Sequence, residues 1–197
     1  MFAIVESGSI TSMLKGNRGV EINGVKHPAS IFTLWTDAER LAIGIYPVRI
    51  DTTNKKDEAW YINTNITYAV DGDEVVGTYG TATAKEIEDR NATDEDGVEL
   101  DPVVVIKGLK TIKKEMIDQQ CASILAPSDW MYIKAGEEGG TMDSGWKTWR
   151  ASVRTKCNSM QTQIDNAADV DALAALFTYT TTDGVTSRPL GEFPVKE

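Results

Sequence analysis

The stretch that decides the fold of the C-terminal half reads WKTWRASVRTKCNSMQTQI and spans residues 146–164. Its apolar side chains recur with gaps of 3, 4, 4, 3 and 4 residues. This spacing predicts an amphipathic α-helix, because a helix completes a turn about every 3.6 residues and so brings such positions onto one face. The members of that face are Trp146, Trp149, Val153, Cys157, Met160 and Ile164.

A second long helix is predicted before this stretch. Leu109, Ile112 and Met116 are spaced by three and four residues, and similar spacing continues to Ile124. Pro127 should end the helix, because proline lacks the amide hydrogen that a helix needs. Two helices separated by about 17 residues most simply form an antiparallel hairpin.

A short third helix is predicted near the C-terminus. Asp169 can cap it, since a carboxylate accepts hydrogen bonds from the unpaired amides of a first helical turn. We therefore expect a helical hairpin domain over residues 105–178, with the third helix packed alongside. Residues 179–197 contain no core-building run and predict an extended tail that stays loose or orders against a partner.

Residues 1–85 predict a β-rich domain of short strands joined by tight turns. Asn23-Gly24 lies between two short apolar runs and can supply both positive φ angles of a type I′ hairpin turn. Asp71-Gly72 predicts a second turn of the same kind. One short helix over residues 36–43 interrupts the strands: Thr36 and Glu39 form a capping box, and Gly44 can end the helix in the left-handed conformation.

The segment between the two halves is strongly acidic. Residues 86–104 include mutually repelling carboxylates and Pro102, and they predict an exposed linker. The expected fold class is thus α+β: an N-terminal β-rich hairpin domain, then an antiparallel helical hairpin with a short third helix.

Charge and composition argue against several classes of function. The chain has 197 residues and a net charge of −10, with acidic residues on both sides of its one basic run at residues 107–114. Binding to nucleic acid or to an anionic membrane normally requires a basic surface, so neither partner is expected. Two cysteines form no disulfide framework, which favours synthesis in a reducing cytoplasm.

The sequence contains no recognisable catalytic or cofactor motif, and we predict that the protein is not an enzyme. His27 is the one imidazole available to a nucleophile. Histidine and cysteine are too few for a zinc site, and the acidic residues 94–99 lack the ligand spacing of an EF-hand. No cofactor and no metal are expected. Among so many carboxylates, nothing selects a pair for glycoside hydrolysis.

Aromatic residues provide the more informative signal. They either fill the top of the helical hairpin or form a partner-binding patch, since Trp and Tyr dominate interface hot spots. Arg150 and Arg154 lie four residues apart on one helix face and can pair with acidic groups of a neighbour, or locally with Glu137 or Glu138. The predicted partner-binding residues are Trp130, Tyr132, Trp146, Trp149, Arg150 and Arg154.

Residues 125–130 read LAPSDW and residues 188–191 read RPLG, and these and other short motifs resemble those of bacteriophage tail proteins, particularly of marine phages. The second half is similar to tail-fibre assembly and tail-assembly chaperone proteins, through LAPSDW at residues 125–130, the pair Trp149-Arg150, and RPLG at residues 188–191. The N-terminal module is similar through MFAIVE, INGVKHP and LWTDAERLAIGI, at residues 1–6, 22–28 and 34–45.

This resemblance implies protein–protein recognition within a virion tail. The leading expectation is a structural adaptor, present in several copies, that binds a tail fibre or the tail tube. A dissociable tail-fibre chaperone is the first alternative, and its negative charge would keep it soluble before release. The second alternative is a module that binds or cleaves host glycans, with Trp35, Trp60 and Tyr61 stacking on sugar rings.

Overall fold

The computed structural model describes residues 1–15 and 18–196. The protein is a mixed α and β chain, with a β-rich N-terminal region and C-terminal helices. It divides into two compact units, Met1–Thr83 and Ala84–Glu197.

The first unit is built mainly from strands. They are β1 (Phe2–Glu6), β2 (Ser9–Leu14), β3 (Val20–Ile22), β4 (Val25–His27), β5 (Ile45–Asp51), β6 (Tyr61–Ile62), β7 (Ile66–Asp71) and β8 (Glu74–Tyr79). Two short helices, α1 (Ile31–Leu34) and α2 (Asp37–Ala42), lie between β4 and β5. Five strands form one sheet in the order β2-β1-β5-β8-β7. Within this sheet β5 and β8 run parallel, whereas the other neighbours run antiparallel.

The tight turns of this unit follow from residues that tolerate positive φ. Asn23 and Gly24 have φ angles of 50° and 77°, which confirms the turn predicted between β3 and β4. The turn between β7 and β8 differs from the prediction: Asp71 is still paired with Glu74, and Gly72 has a φ of 57° without a second positive φ beside it. It is therefore not a type I′ turn.

The predicted capping box at α2 is confirmed. The Thr36 hydroxyl accepts from the Glu39 amide at 3.3 Å, while a Glu39 carboxylate oxygen accepts from the Thr36 amide at 2.7 Å. Gly44 follows the helix with a φ of 84°, and its amide donates to the Leu41 carbonyl at 2.9 Å. These local bonds return the chain to the sheet as β5.

Alternating side chains cover both faces of the sheet. One core contains Ile22, Ile31, Phe32 and Ile45, and a second contains Ala3, Val5 and Val75. Gly77 is buried in β8, where a Cβ atom would lie 2.7 Å from Tyr68 Cε1 and 2.8 Å from both Ile50 Cδ1 and Ile66 Cγ2. The close packing of these three side chains therefore depends on the missing Cβ.

The second unit contains the long helices. A two-residue strand, β9 (Thr83–Ala84), lies at the boundary between the units. The elements that follow are β10 (Arg90–Asn91), β11 (Val105–Ile106), α3 (Leu109–Leu125), a 3₁₀ turn (Ala126–Ser128), α4 (Asp129–Glu137), α5 (Ser144–Asp165), α6 (Val170–Phe177), β12 (Thr180–Thr182) and β13 (Val185–Ser187).

Helices α3 and α5 pack together along their lengths. Near the start of α3, Lys114 Nζ lies 2.7 Å from Asp165 Oδ1 at the end of α5. At the other end, Arg150 Nη1 donates to the Leu125 carbonyl at 2.7 Å. The buried side chains of this unit's helices include Ile117, Cys121, Val153, Cys157, Met160, Ile164 and Leu173. As predicted, Asp169 caps α6, accepting from the Ala172 amide at 2.8 Å.

Residues 86–104, predicted to be an exposed linker, are almost all exposed, but their backbone is partly paired. β10 pairs with β11, and the Gly108 amide donates to Asp89 Oδ1 at 2.8 Å. The Leu109 amide donates to the Glu86 carbonyl at 3.0 Å, which ties the start of α3 to this segment. The carboxylate side chains of this segment repel one another, but the backbone of the same residues can still pair when the charges point into water.

The C-terminal segment is also more ordered than the predicted extended tail. β12 and β13 form a hairpin, and Leu190 beyond it is fully buried. The Leu190 amide donates to the Leu176 carbonyl at 3.1 Å, and Lys156 Nζ donates to the Leu190 carbonyl at 2.8 Å. This chain therefore supplies its own partner for the segment.

Within the described residues, no helix combines the length and the apolarity needed to cross a membrane.

Candidate functional site

The predicted partner-binding residues lie on α4 and on the first turns of α5. Helix α4 itself was not predicted, because its nine residues were assigned to the connection between the long helices. Trp130 and Tyr132 are 55% and 70% exposed. Ile133, for which no role was predicted, is 61% exposed beside them. We call these three side chains the α4 aromatic surface.

Helix α4 presents two sides, each facing a surface depression. Tyr132 and Ile133 line one depression, of about 480 Å³, together with Met142. Trp130 lines the other, of about 300 Å³, together with Trp146. The helical spacing explains this division, because residues 132 and 133 follow residue 129 by three and four positions, while residue 134 follows residue 130 by four.

The two tryptophans of α5 face inward, in contrast to Trp130. Trp146 and Trp149 are half-buried and pack edge to face, with ring centroids 5.5 Å apart and planes at 87°. Trp149 Nε1 donates to the Pro194 carbonyl at 3.0 Å, and Lys196 Nζ lies 5.4 Å from the centre of the Trp146 ring. Both proposed roles of the aromatic residues thus occur here: the α5 rings pack within the unit, and the α4 rings are exposed.

Arg150 joins the end of α3 to the start of α4. Its side chain is only 8% exposed. Nη1 donates to the Leu125 carbonyl and to Ser128 Oγ, and Nη2 pairs with Asp129 Oδ1 at 2.5 Å. The acidic partner is therefore Asp129 rather than Glu137 or Glu138, and the guanidinium holds the geometry of the site instead of facing a neighbour.

Arg154 lies one turn further along α5 and is exposed. It lines the 480 Å³ depression with Lys147 and Arg150. Within the described residues, neither Arg154 nor Lys147 has an ion pair with a carboxylate, whereas Asp129, the one acidic residue of the lining, is paired with Arg150. The depression therefore carries two uncompensated positive charges in a chain with a net charge of −10.

The groups that could support catalysis are not brought together. His27 packs edge-on against Trp35, with ring centroids 5.7 Å apart. Burial, the neighbouring Cys121 thiol and Asp118 raise the pKa of Cys157 to about 12, so this thiol is protonated at neutral pH. Among the described residues, no group of three or more His, Cys, Asp or Glu side chains could hold a metal ion.

The three rings considered for glycan stacking are unequally accessible. Trp60 is only 9% exposed, so its face is not open to a sugar. Trp35 and Tyr61 are half-buried, and Lys56 Nζ lies 5.4 Å from the centre of the Tyr61 ring.

Comparison with protein-family models, with curated proteins and with solved structures gives no match to this chain.

Proposed function

We propose that this chain is a non-enzymatic structural adaptor of a bacteriophage tail, made in the host cytoplasm and present in several copies. It attaches or organises tail fibres through protein–protein contacts. The observation that carries the proposal is the α4 aromatic surface, where Trp130, Tyr132 and Ile133 are all more than half exposed. Exposed apolar side chains concentrated on one short helix are typical of recognition sites, and tryptophan and tyrosine are the residues that most often dominate interface energies.

In this proposal α3 and α5 form an antiparallel hairpin, with α6 as a short third helix, and the hairpin supports α4. The buried Arg150 fixes the first turn of α4 through Ser128 and Asp129. A surface that is already ordered loses little conformational freedom on binding, and more of its contact energy therefore appears as affinity.

The phage assignment is supported by the motifs that resemble tail proteins. Two of them, Asp129-Trp130 and Trp149-Arg150, lie 20 residues apart in sequence. The Arg150–Asp129 ion pair joins them. The two short motifs therefore form one structural unit, which gives a physical reason for their occurring together.

Mass spectrometry of purified particles of the phage that encodes this chain tests the proposal. A structural adaptor would be present at a small, fixed copy number relative to the major tail proteins. Absence from particles, despite abundance in infected cells, would contradict the adaptor and favour a dissociable chaperone.

A variant identifies the surface responsible. Trp130→Ala should reduce incorporation into particles at least roughly tenfold, as expected when an interface hot spot is truncated. Leu34→Ala is the matched control, because Leu34 is a 79% exposed apolar residue of the first unit, distant in sequence from α4. Equal incorporation of both variants would exclude Trp130 as an attachment residue.

A further inference from the structure

Residues 91–106, which we call the acidic arm, form a segment of the second unit in which every residue except Ala92 is exposed. The arm contains five acidic residues and no lysine or arginine. It also exposes six aliphatic side chains, each by at least 36%. These are Val98, Leu100, Val103, Val104, Val105 and Ile106. Such a concentration of exposed aliphatic surface within one short segment indicates an interaction site.

The backbone of the acidic arm is already ordered. The Ala92 amide donates to the Val104 carbonyl at 2.7 Å, and the Leu100 amide donates to the Ala92 carbonyl at 3.1 Å. At the tip, Asp94 Oδ1 accepts from the Asp96 and Val98 amides at 3.0 and 2.9 Å. The arm can therefore dock with little loss of backbone freedom.

Most carboxylates of the arm are free to pair with positively charged side chains of a partner. Asp94 is used by the turn, and Glu99 accepts from Asn91 Nδ2 at 3.1 Å. Within the described residues, no hydrogen bond or ion pair engages the side-chain carboxylates of Glu95, Asp96 and Asp101.

The complementary surface is the 480 Å³ depression beside α4, which we call the cationic pocket. Lys147 and Arg154 supply its two uncompensated charges, and Tyr132, Ile133 and Met142 supply its apolar lining. It thus combines the two properties that the acidic arm requires, positive charge and apolar surface. The acidic arm, which carries both carboxylates and exposed aliphatic side chains, therefore matches this pocket in charge and in apolarity.

We propose that the acidic arm of one copy docks in the cationic pocket of a second copy. Because the arm and the pocket are different surfaces, the contact is heterologous, and each copy retains one free arm or one free pocket until a ring closes or a chain of copies grows. Docking covers Tyr132 and Ile133 of the α4 aromatic surface, whereas Trp130, on the other side of α4, remains available to a tail-fibre partner. This inference goes beyond the proposed function and does not depend on it.

Sedimentation velocity on the purified full-length protein tests the docking. The wild type should show a mass that rises with concentration between about 1 and 200 μM, and raising the salt from about 0.05 to 0.5 M should weaken association, because exposed charges are screened. A wild type that stays monomeric over this range would overturn the proposal.

Two charge variants separate the two surfaces. A pocket variant, Lys147→Glu with Arg154→Glu, and an arm variant, Glu95→Gln with Asp96→Asn, should each weaken self-association at least roughly tenfold. The arm variant is neutralised rather than reversed, so that it does not become complementary to the reversed pocket. Lys15→Glu with Lys26→Glu is the control for net charge, because both lysines are exposed and lie in the first unit. Its self-association should fall less than that of the pocket variant, and an equal fall would show that net charge alone is responsible.

Mixing provides the decisive measurement. The pocket variant keeps an intact arm, and the arm variant keeps an intact pocket, so an equimolar mixture should form a one-to-one dimer that grows no further. Successful mixing also shows that each variant is folded. A mixture that remains monomeric, although the wild type associates, would overturn the arm-to-pocket contact.

Discussion

Arg150 illustrates how one residue can serve a site without facing its partner. Its guanidinium satisfies the Leu125 carbonyl, the buried Ser128 hydroxyl and the Asp129 carboxylate together. The sequence placed Arg150 on the same helix face as Arg154, since four residues separate them. Only the tertiary packing distinguishes them, because it buries the first against the end of α3 and leaves the second exposed.

Replacing Arg150 with alanine should lower the free energy of unfolding by about 2–4 kcal/mol, because polar groups that it now satisfies would remain buried without a partner. Urea unfolding followed by circular dichroism measures this change. Arg154→Ala is the matched control and should stay within about 0.5 kcal/mol of the wild type, as is usual for exposed positions. Equal effects of the two substitutions would contradict the structural role of Arg150.

Cys157 leads to a prediction about reactivity. Burial first, and then Cys121 and Asp118, raise the pKa of its thiol to about 12. Because the thiolate is the reactive form, the folded protein should react very slowly with a disulfide reagent such as dithiobisnitrobenzoate at pH 8. Guanidinium should expose both cysteines and release two equivalents of the coloured product. Rapid reaction of two thiols in the native protein would be incompatible with this packing.

At the scale of elements, the start of α3 shows how the acidic segment contributes to stability. Hydrogen bonds from the Gly108 amide, and then from the Thr111 side chain, hold the pKa of Asp89 below its usual value of 3.8. A carboxyl group with a lowered folded-state pKa stabilises the protein above its unfolded-state pKa, and this contribution is lost as the pH falls through the folded-state value.

Asp89→Asn should therefore melt at a lower temperature than the wild type at pH 7, and the gap should narrow as the pH falls below about 4. Calorimetry at pH 7 and at a pH below about 4 measures this difference in melting temperature. Asp96→Asn provides the comparison, because this exposed carboxylate makes no contact within its own chain that the substitution would break, and its melting temperature should match that of the wild type at either pH. A gap for Asp89→Asn that is independent of pH would rule out the carboxylate charge as its cause.

The elements that the sequence predicted well are those governed by neighbouring residues. The β3–β4 turn depends on Asn23-Gly24, and α2 depends on the Thr36–Glu39 capping box, so both are visible in a few letters. The long helices were predicted from their apolar spacing. Helix α4 was not predicted, because its exposed Trp130, Tyr132 and Ile133 interrupt the apolar spacing of a buried face. The same three side chains mark the candidate site.

Long-range pairing could not be predicted in this way. The parallel contact between β5 and β8 joins residues 48–51 to residues 75–78, and no local signal specifies it. Likewise, the burial of Leu190 depends on a surface formed by α5 and α6, which exists only after the helices have packed. The backbone pairing in the acidic segment could not be predicted either, because a run of charged side chains indicates exposure to solvent but does not indicate whether the backbone is paired.

At the scale of the whole molecule, the division into two compact units predicts that stability is local to each unit. Ile45 in the first unit and Met160 in the second are both fully buried. Ile45→Ala or Met160→Ala should each cost about 2–5 kcal/mol, because truncation leaves a cavity. Hydrogen exchange should detect lost protection mainly in the unit that carries the substitution. Uniform loss throughout the chain after either change would instead indicate a single cooperative unit.

Gly77 has a consequence for tracing the ancestry of this chain. Every amino acid that one nucleotide change can make from a glycine codon carries a Cβ atom, and here that atom would lie within 2.8 Å of Tyr68, Ile50 and Ile66. Selection should therefore remove most substitutions at this codon while the solvent-facing positions around it drift. Gly77 lies in β8, the strand that pairs with both β5 and β7. A glycine at this position is thus a marker by which distant descendants of the first unit can be identified.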